Sequence, residues 1–243
     1  MKLKILIILT FICIILFIYI TKHKELFENI DTKYKNHKLQ DLFTSDIFNG
    51  KDIFLIANND KLSKKTQDFL EKYRNNNKRK NYLVVRFNGY KPYIKDYMGS
   101  EIDIMVYNIV TFGFFGYNLE TYNPNIINIF TINNYLMKYK KYCSIDSLIK
   151  HEENKNQFSS IKNILLKNKY YINVKEGLVT KKTIPTNGFN MFYNLYNKQF
   201  DKIKKLYLIG FTFPYNEYHK TWNEKKIFNE IYNKNKGKII YLT

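Results

Sequence analysis

Four short apolar runs restrict the folds open to this chain: DIFLIA at 52–57, YLVVR at 82–86, LYLI at 206–209 and KIIYL at 238–242. They are too short for helices and too continuously apolar for strands with one wet face, so they read as buried strands. Two further runs, IDIMVY at 102–107 and IINIFT at 126–131, join them. Between the strands the spacing changes to that of helices. Residues 62–74 carry Leu62, Phe69, Leu70 and Tyr73 on one side, and helices are also predicted over 134–142, 159–168, 188–200 and 223–233, with a charged turn at 75–80. Strands alternating with helices predict an α/β fold: a Rossmann-like, mostly parallel sheet with helices on both faces. Sheets of this kind place their sites in the loops that follow the carboxyl ends of strands. No internal repeat is visible.

The chain has 243 residues, which suits one globular domain and an appendage. Two cysteines and four histidines exclude a disulfide scaffold and a zinc-finger class. The net charge of +19 would suit a polyanion partner, but of 40 basic residues only Arg74, Arg79 and Arg86 are arginine. The only alanine is Ala57, and Lys, Asn, Ile and Tyr dominate throughout, as codon bias in an A- and T-rich genome would produce. A nucleic-acid binder concentrates arginine for bidentate contacts, so no nucleic-acid partner is expected. The basic tract 61–80 reads as a solvated helix face and loop, and the 22 tyrosines and 19 phenylalanines as bulk of core and surface.

Residues 5–20 run ILIILTFICIILFIYI without a charge, between lysines on either side. With Thr21 the run reaches the lower bound of about 17 residues for a spanning helix. No small-residue cleavage site follows, so the run is read as an uncleaved signal anchor rather than a signal peptide. The expected organisation is an N-terminal transmembrane anchor over 1–24, a polar stem over 25–49 and a catalytic domain over 50–243. The protein is then single-pass, with the domain on the lumenal side. Cys13 lies in the anchor, and Cys143 is a lone, packed thiol.

Three strand or helix boundaries carry polar residues: Ala57-Asn58-Asn59-Asp60, Arg86-Phe87-Asn88 and Pro185-Thr186-Asn187-Gly188. Each alone fits ordinary turn or capping chemistry. The segment after strand 206–209 adds His219, with Glu224 five positions on. Gly188 at a helix start suits close approach of backbone to a phosphate. His219 suits a general base, since the positive end of the following helix disfavours imidazolium. Glu224, in the first turn of that helix, either complements its dipole or orients the His219 loop. Glu101 and Asp103, the nearest approach to a D-x-D metal site, fall in a predicted strand and read as structural. No GxGxxG or Walker A motif is present.

In this order the segments resemble the eukaryotic-type sialyltransferases, glycosyltransferase family 29, whose enzymes carry a long, a small and a very small motif. The long motif is matched by IFLIAN (53–58), VVRFN (84–88) and GSEIDI (99–104). The small motif is matched by PTNG (185–188) and LYLIGF (206–211), and the very small motif by His219 and Glu224. The match spans about residues 52–230, and anchor plus stem is that family's layout too. It departs at Ala57, where the family has glycine, at Cys143, which has no lumenal partner, and at 215–218, where an expected His is missing.

The resemblance implies a GT-A-like variant of the α/β fold and a metal-independent enzyme of the Golgi or secretory pathway. No cofactor is implied beyond CMP-sialic acid as donor substrate, with a glycan as acceptor and inversion at the transferred sugar. Asn58 and Asn88 would contact the nucleotide and its phosphate, Thr186, Asn187 and Gly188 would line the donor through backbone amides, and His219 would be the base. The alternatives are a transferase with another nucleotide-sugar donor and a non-catalytic relative that binds a glycan or a partner.

Overall fold

Seven strands form one sheet in the order β5-β4-β3-β2-β1-β6-β7. They are β1 (Asp52–Ile56), β2 (Tyr82–Phe87), β3 (Ile104–Asn108), β4 (Ile127–Ile132), β5 (Tyr170–Asn173), β6 (Lys205–Ile209) and β7 (Ile239–Leu242). Every pairing is parallel, so the described sheet goes beyond the mostly parallel expectation. The computed structural model describes residues 42–58, 62–88, 101–108, 122–132, 164, 170–173, 185–213 and 222–243. The anchor expected over 5–21 lies outside them, and among the described residues no helix is long and apolar enough to cross a membrane. The helices expected over 134–142 and 159–168 also lie outside, apart from position 164.

Three longer helices are described: α1 (Lys64–Asn76), α2 (Asn187–Gln199) and α3 (Trp222–Lys234). Ser63 starts α1 by accepting the Thr66 N–H on its Oγ at 3.3 Å. The helix runs two residues past the expected 74, into the stretch read as a turn. Asn77 then closes it, its Nδ2 donating to the Tyr73 carbonyl at 2.8 Å, and a short 3-10 turn at Arg79–Asn81 leads into β2. Thr186 starts α2 in the same way, accepting the Phe189 N–H at 3.2 Å.

The period of two sorts the strand residues onto two faces. Phe54, Ile56, Val84, Tyr207 and Ile209 pack with Leu62 and Leu70 on the α1 side. Ile53, Leu55, Val85, Val106 and Leu208 pack with Phe192 and Leu195 of α2 and Phe228 of α3 on the other. Aromatic bulk fills the α1 side: Phe54 stacks on Tyr207 with centroids 4.3 Å apart, and Tyr73 meets Phe54 edge-on at 4.8 Å. The Tyr73 hydroxyl donates to the buried Asp52 carboxylate. Burial, and then that bond, holds the phenol well above its usual range.

The amino-terminal edge of the sheet is closed by charge. Glu101 and Asp103 precede β3 rather than lying in it, since the strand expected from 102 begins at Ile104. Arg79 reaches Asp103 at 2.7 Å and Glu101 at 3.4 Å. Asp103 also accepts the Val84 N–H at 2.7 Å, and Glu101 accepts the Tyr82 hydroxyl at 2.8 Å. This pair therefore ties the 3-10 turn at Arg79–Asn81 and the start of β2 to the residues that lead into β3, the structural role expected for it.

The packed unit begins before residue 50. Two 3-10 turns, Leu42–Thr44 and Asp46–Phe48, bury Leu42, Phe43 and Phe48 in the layer beneath α2. Gly50 N–H donates to the Lys202 carbonyl at 2.9 Å, and Lys204 N–H to the Lys51 carbonyl at 2.8 Å. Part of the stretch read as stem is thus core, because its sparse apolar residues come in adjacent pairs that two tight turns can aim at one surface. Phe48→Ala is expected to cost about 3–5 kcal/mol in a denaturant titration, whereas Asn49→Ala, at an exposed position, should stay within about 0.5 kcal/mol. A near-neutral Phe48→Ala would return 42–49 to the stem.

Candidate active site

The carboxyl ends of β1 to β4 carry a continuous string of side-chain amides. Asn58, two residues past β1, donates from Nδ2 to the Phe87 carbonyl at 2.8 Å and to the Asn88 carbonyl at 2.6 Å. Asn88, one residue past β2, has a φ of 30°, a left-handed backbone that Asn tolerates better than most residues. Its N–H donates to the Val106 carbonyl at 3.0 Å. Its Oδ1 accepts from the Asn108 N–H at 2.9 Å and from Asn187 Nδ2 at 2.9 Å. Asn187, the first residue of α2, accepts on Oδ1 from the Thr131 hydroxyl of β4 at 2.6 Å. The ends of four strands and the start of one helix are therefore one hydrogen-bonded unit.

The start of α2 is tied to α3 by a buried carboxyl. Glu224 is 5% exposed. Its Oε1 accepts the Thr186 N–H at 2.5 Å and its Oε2 the Thr186 hydroxyl at 3.0 Å. The expected choices for Glu224 were a role on its own helix dipole or on the His219 loop. The contacts place it on Thr186, where it joins two helix N-termini. With Thr186 N–H on Glu224 and Phe189 N–H on Thr186 Oγ1, the Asn187 and Gly188 N–H groups are left without a partner among the described residues. These are the donors a helix N-terminus offers to an anion.

Gly188 has a packing reason to be glycine. A Cβ there would lie 2.5 Å from Cε1 of Phe211 and 3.0 Å from its Cζ. Phe211 follows Gly210, which leaves β6 with a φ of 72°, and it packs edge-on against Phe87 with centroids 6.1 Å apart. The missing side chain makes room for this ring, and so lets the end of β6 close against the start of α2.

Of the residues expected in the site, Asn58, Asn88, Thr186, Asn187, Gly188 and Glu224 thus share one edge. His219 lies outside the described residues. Thr131 and Asn108 belong to the same unit and were not singled out from the sequence. The available signal was an amide at the end of β3 and a hydroxyl one residue before the end of β4.

No protein-family model matches the chain, and no curated protein matches it. Two solved structures share a distant likeness with it. One is the sialyltransferase CstII from Campylobacter jejuni in complex with a substrate analogue, cytidine-5'-monophosphate. It is 16% identical, with 79% of this chain and 79% of that chain covered and a TM-score of 0.37. The other is the same enzyme in complex with CMP-3FNeuAc, 15% identical, with 79% and 86% covered and a TM-score of 0.38. At these scores neither likeness assigns this chain a family or an activity.

Burial raises the Glu224 carboxyl from 4.5 to about 7, against its Thr186 bonds, which lower it. Between those values the folded state binds more protons than the unfolded state. The group's stabilising contribution is therefore complete below about 4.5 and is lost as pH rises towards about 7. Glu224→Gln keeps an acceptor for Thr186 N–H and cannot ionise. The difference in stability between wild type and Glu224→Gln is expected to shift by on the order of 3 kcal/mol in favour of the variant between pH 4 and pH 8. Parallel pH curves from chemical denaturation would contradict the assignment.

Proposed function

We propose that this chain is a membrane-anchored glycosyltransferase of sialyltransferase type, which moves sialic acid from CMP-sialic acid to a glycan hydroxyl with inversion. The observation that carries the proposal is the hydrogen-bonded unit joining Asn58, Asn88 and the first turn of α2 on one carboxyl edge. Of the five segments that resemble the family's long and small motifs, IFLIAN, VVRFN and PTNG meet there, whereas GSEIDI, described from Glu101 on, lies at the amino-terminal edge. Open parallel sheets bind ligands at this edge, where strand order reverses, and here the reversal falls between β1 and β6.

The chemistry follows from the donors present. The departing CMP carries phosphate charge, and the Asn187 and Gly188 amides with the dipole of α2 meet such charge without a metal. Asn58 and Asn88 hold the nucleotide beside them. His219, on the segment between β6 and α3, takes the acceptor proton as the hydroxyl attacks the anomeric carbon from the side opposite CMP. Glu224 is a positioning residue that fixes Thr186 and so the first turn of α2. Residues 5–21 anchor the chain, with the catalytic domain in the lumen of the secretory pathway.

The test is a hydrolysis and transfer screen of the purified full-length chain against CMP-, UDP- and GDP-sugars. CMP-sialic acid should be turned over, and EDTA should leave the rate unchanged. His219→Ala should lower turnover about 10²–10⁴-fold while CMP affinity stays near wild type. Asn58→Ala and Asn88→Ala should instead weaken CMP binding. Turnover of a UDP- or GDP-sugar alone would replace the donor. Loss with EDTA restored by Mn²⁺ would point to another transferase class, and an unchanged rate in folded His219→Ala would remove the base.

A further inference from the structure

One group without a choice of role sets the polarity of the whole carboxyl-edge unit. The Asn108 main-chain N–H can only donate, and it meets Asn88 2.9 Å away. Asn88 must therefore present its oxygen there. The Asn187 atom 2.9 Å from that oxygen must then be the amide nitrogen. This turns Asn187 Oδ1 towards Thr131 Oγ1 at 2.6 Å, so the Thr131 hydroxyl donates to it. A hydroxyl has one proton, which leaves the Tyr107 carbonyl, at 3.2 Å, as a neighbour without that proton. At the other end Asn58 faces two carbonyls, so both its amide protons are used. The groups left over are Asn88 Nδ2, a donor, and Asn58 Oδ1, an acceptor. Neither has a partner among the described residues.

We infer that Thr131 is a positioning residue whose buried hydroxyl holds Asn187 and, with the Asn108 N–H, Asn88 in one orientation, so that the site offers an amide donor just past β2 beside an amide acceptor just past β1. Thr131 is 2% exposed and lies opposite Asn108 in the β3–β4 register. Without its proton, Asn187 Oδ1 has no donor. If the Asn187 amide turned over, its oxygen would meet Asn88 Oδ1, which Asn108 holds in place. No orientation then satisfies every member, and a half-satisfied buried network loses its single arrangement.

The polarity selects the ligand chemistry. Asn88 Nδ2 suits an anionic phosphate oxygen. Asn58 Oδ1 repels such an oxygen and suits a hydroxyl, such as one on a ribose. This assignment of ligand groups rests on the nucleotide-cradle reading, whereas the relay itself does not.

Two measurements on the full-length chain in mild detergent separate the two. The first is side-chain amide hydrogen exchange by NMR with asparagine labelling. In wild type the Asn187 amide should exchange at least about tenfold more slowly than that of Asn88, since Asn187 is itself buried and its amide is donated to Asn88. Thr131→Val should abolish this protection and Thr131→Ser should restore it. Equal exchange in wild type, or protection that survives Thr131→Val, overturns the relay. The wild-type arm needs no variant to fold.

The second measurement is affinity for CMP against cytidine. Folded Thr131→Val should lose about tenfold or more for CMP and less than twofold for cytidine, as expected for a lost donor to a charged group. Thr131→Ser should recover most of the CMP affinity. Equal losses for both ligands overturn the phosphate assignment. If wild type binds no nucleoside monophosphate while the exchange pattern holds, the nucleotide reading and the phosphate assignment fail together and the relay stands.

Discussion

β1 must be apolar on both faces and hydrogen-bonded on both edges, and the rest of the molecule is arranged around that demand. All five of its residues are buried. It pairs with β2 on one edge and β6 on the other, both parallel. Parallel neighbours need crossovers, and crossovers are almost always right-handed. Leaving β1 for β2 carries α1 over one face. Building outward from β6 to β7, in the opposite direction, carries α3 over the other, where α2 also packs. The faces are thereby filled by different helices, and no connection is obliged to cross the carboxyl ends of β1 and β6. The opening at that point follows from strand order and not from any particular side chain.

The two ends of the sheet solve the same problem differently. Strand ends expose backbone groups and break the apolar pattern, so polar side chains collect there. At the amino end, Arg79 bridges the Glu101 and Asp103 carboxylates, which also accept from the Tyr82 hydroxyl and the Val84 N–H. At the carboxyl end the work falls to neutral amides and a hydroxyl. These link strand to strand, yet among the described residues the Asn88 Nδ2 donor and the Asn58 Oδ1 acceptor have no partner. An edge tied by amides keeps its shape and still presents unpaired groups of known polarity, which is what a preformed binding site requires.

Much of this order is legible in the sequence because it comes from one-dimensional patterns. β1, β2, β6 and β7 each hold four consecutive apolar residues, and α1 and α2 each begin at a hydroxyl cap, Ser63 and Thr186. The grouping of Asn58, Asn88 and Gly188 came from a motif resemblance and from their places at element ends. What could not be read there depends on contacts across the fold. Tyr170–Asn173 is four residues long and has no flanking signal that separates a strand from a loop. Leu42, Phe43 and Phe48 look like stray apolar residues until α2 lies over them. The need for glycine at 188 is set by Phe211, more than twenty residues away. Thr131 closes an apolar run and looks like any strand threonine until Asn187 arrives beside it.

The same logic explains why a carboxyl group is buried where an anion is expected to bind. The first turn of α2 begins with the N–H groups of Thr186, Asn187, Gly188 and Phe189. If all four were free, an anion could settle in several registers along the turn. Glu224 takes the first, and the Thr186 hydroxyl takes the fourth while donating its own proton to Glu224. Among the described residues the middle pair stays without a partner, as does the Asn88 Nδ2 group. A permanent negative charge beside that pair would repel the ligand. Burial lifts the Glu224 carboxyl to about 7, so near neutrality it is protonated in a large share of molecules and can still accept from Thr186. An arriving phosphate would favour the neutral form further, since like charges raise the cost of ionising the carboxyl. Glu224 thus decides, through its two acceptor oxygens, which N–H groups of the first turn of α2 are already bonded.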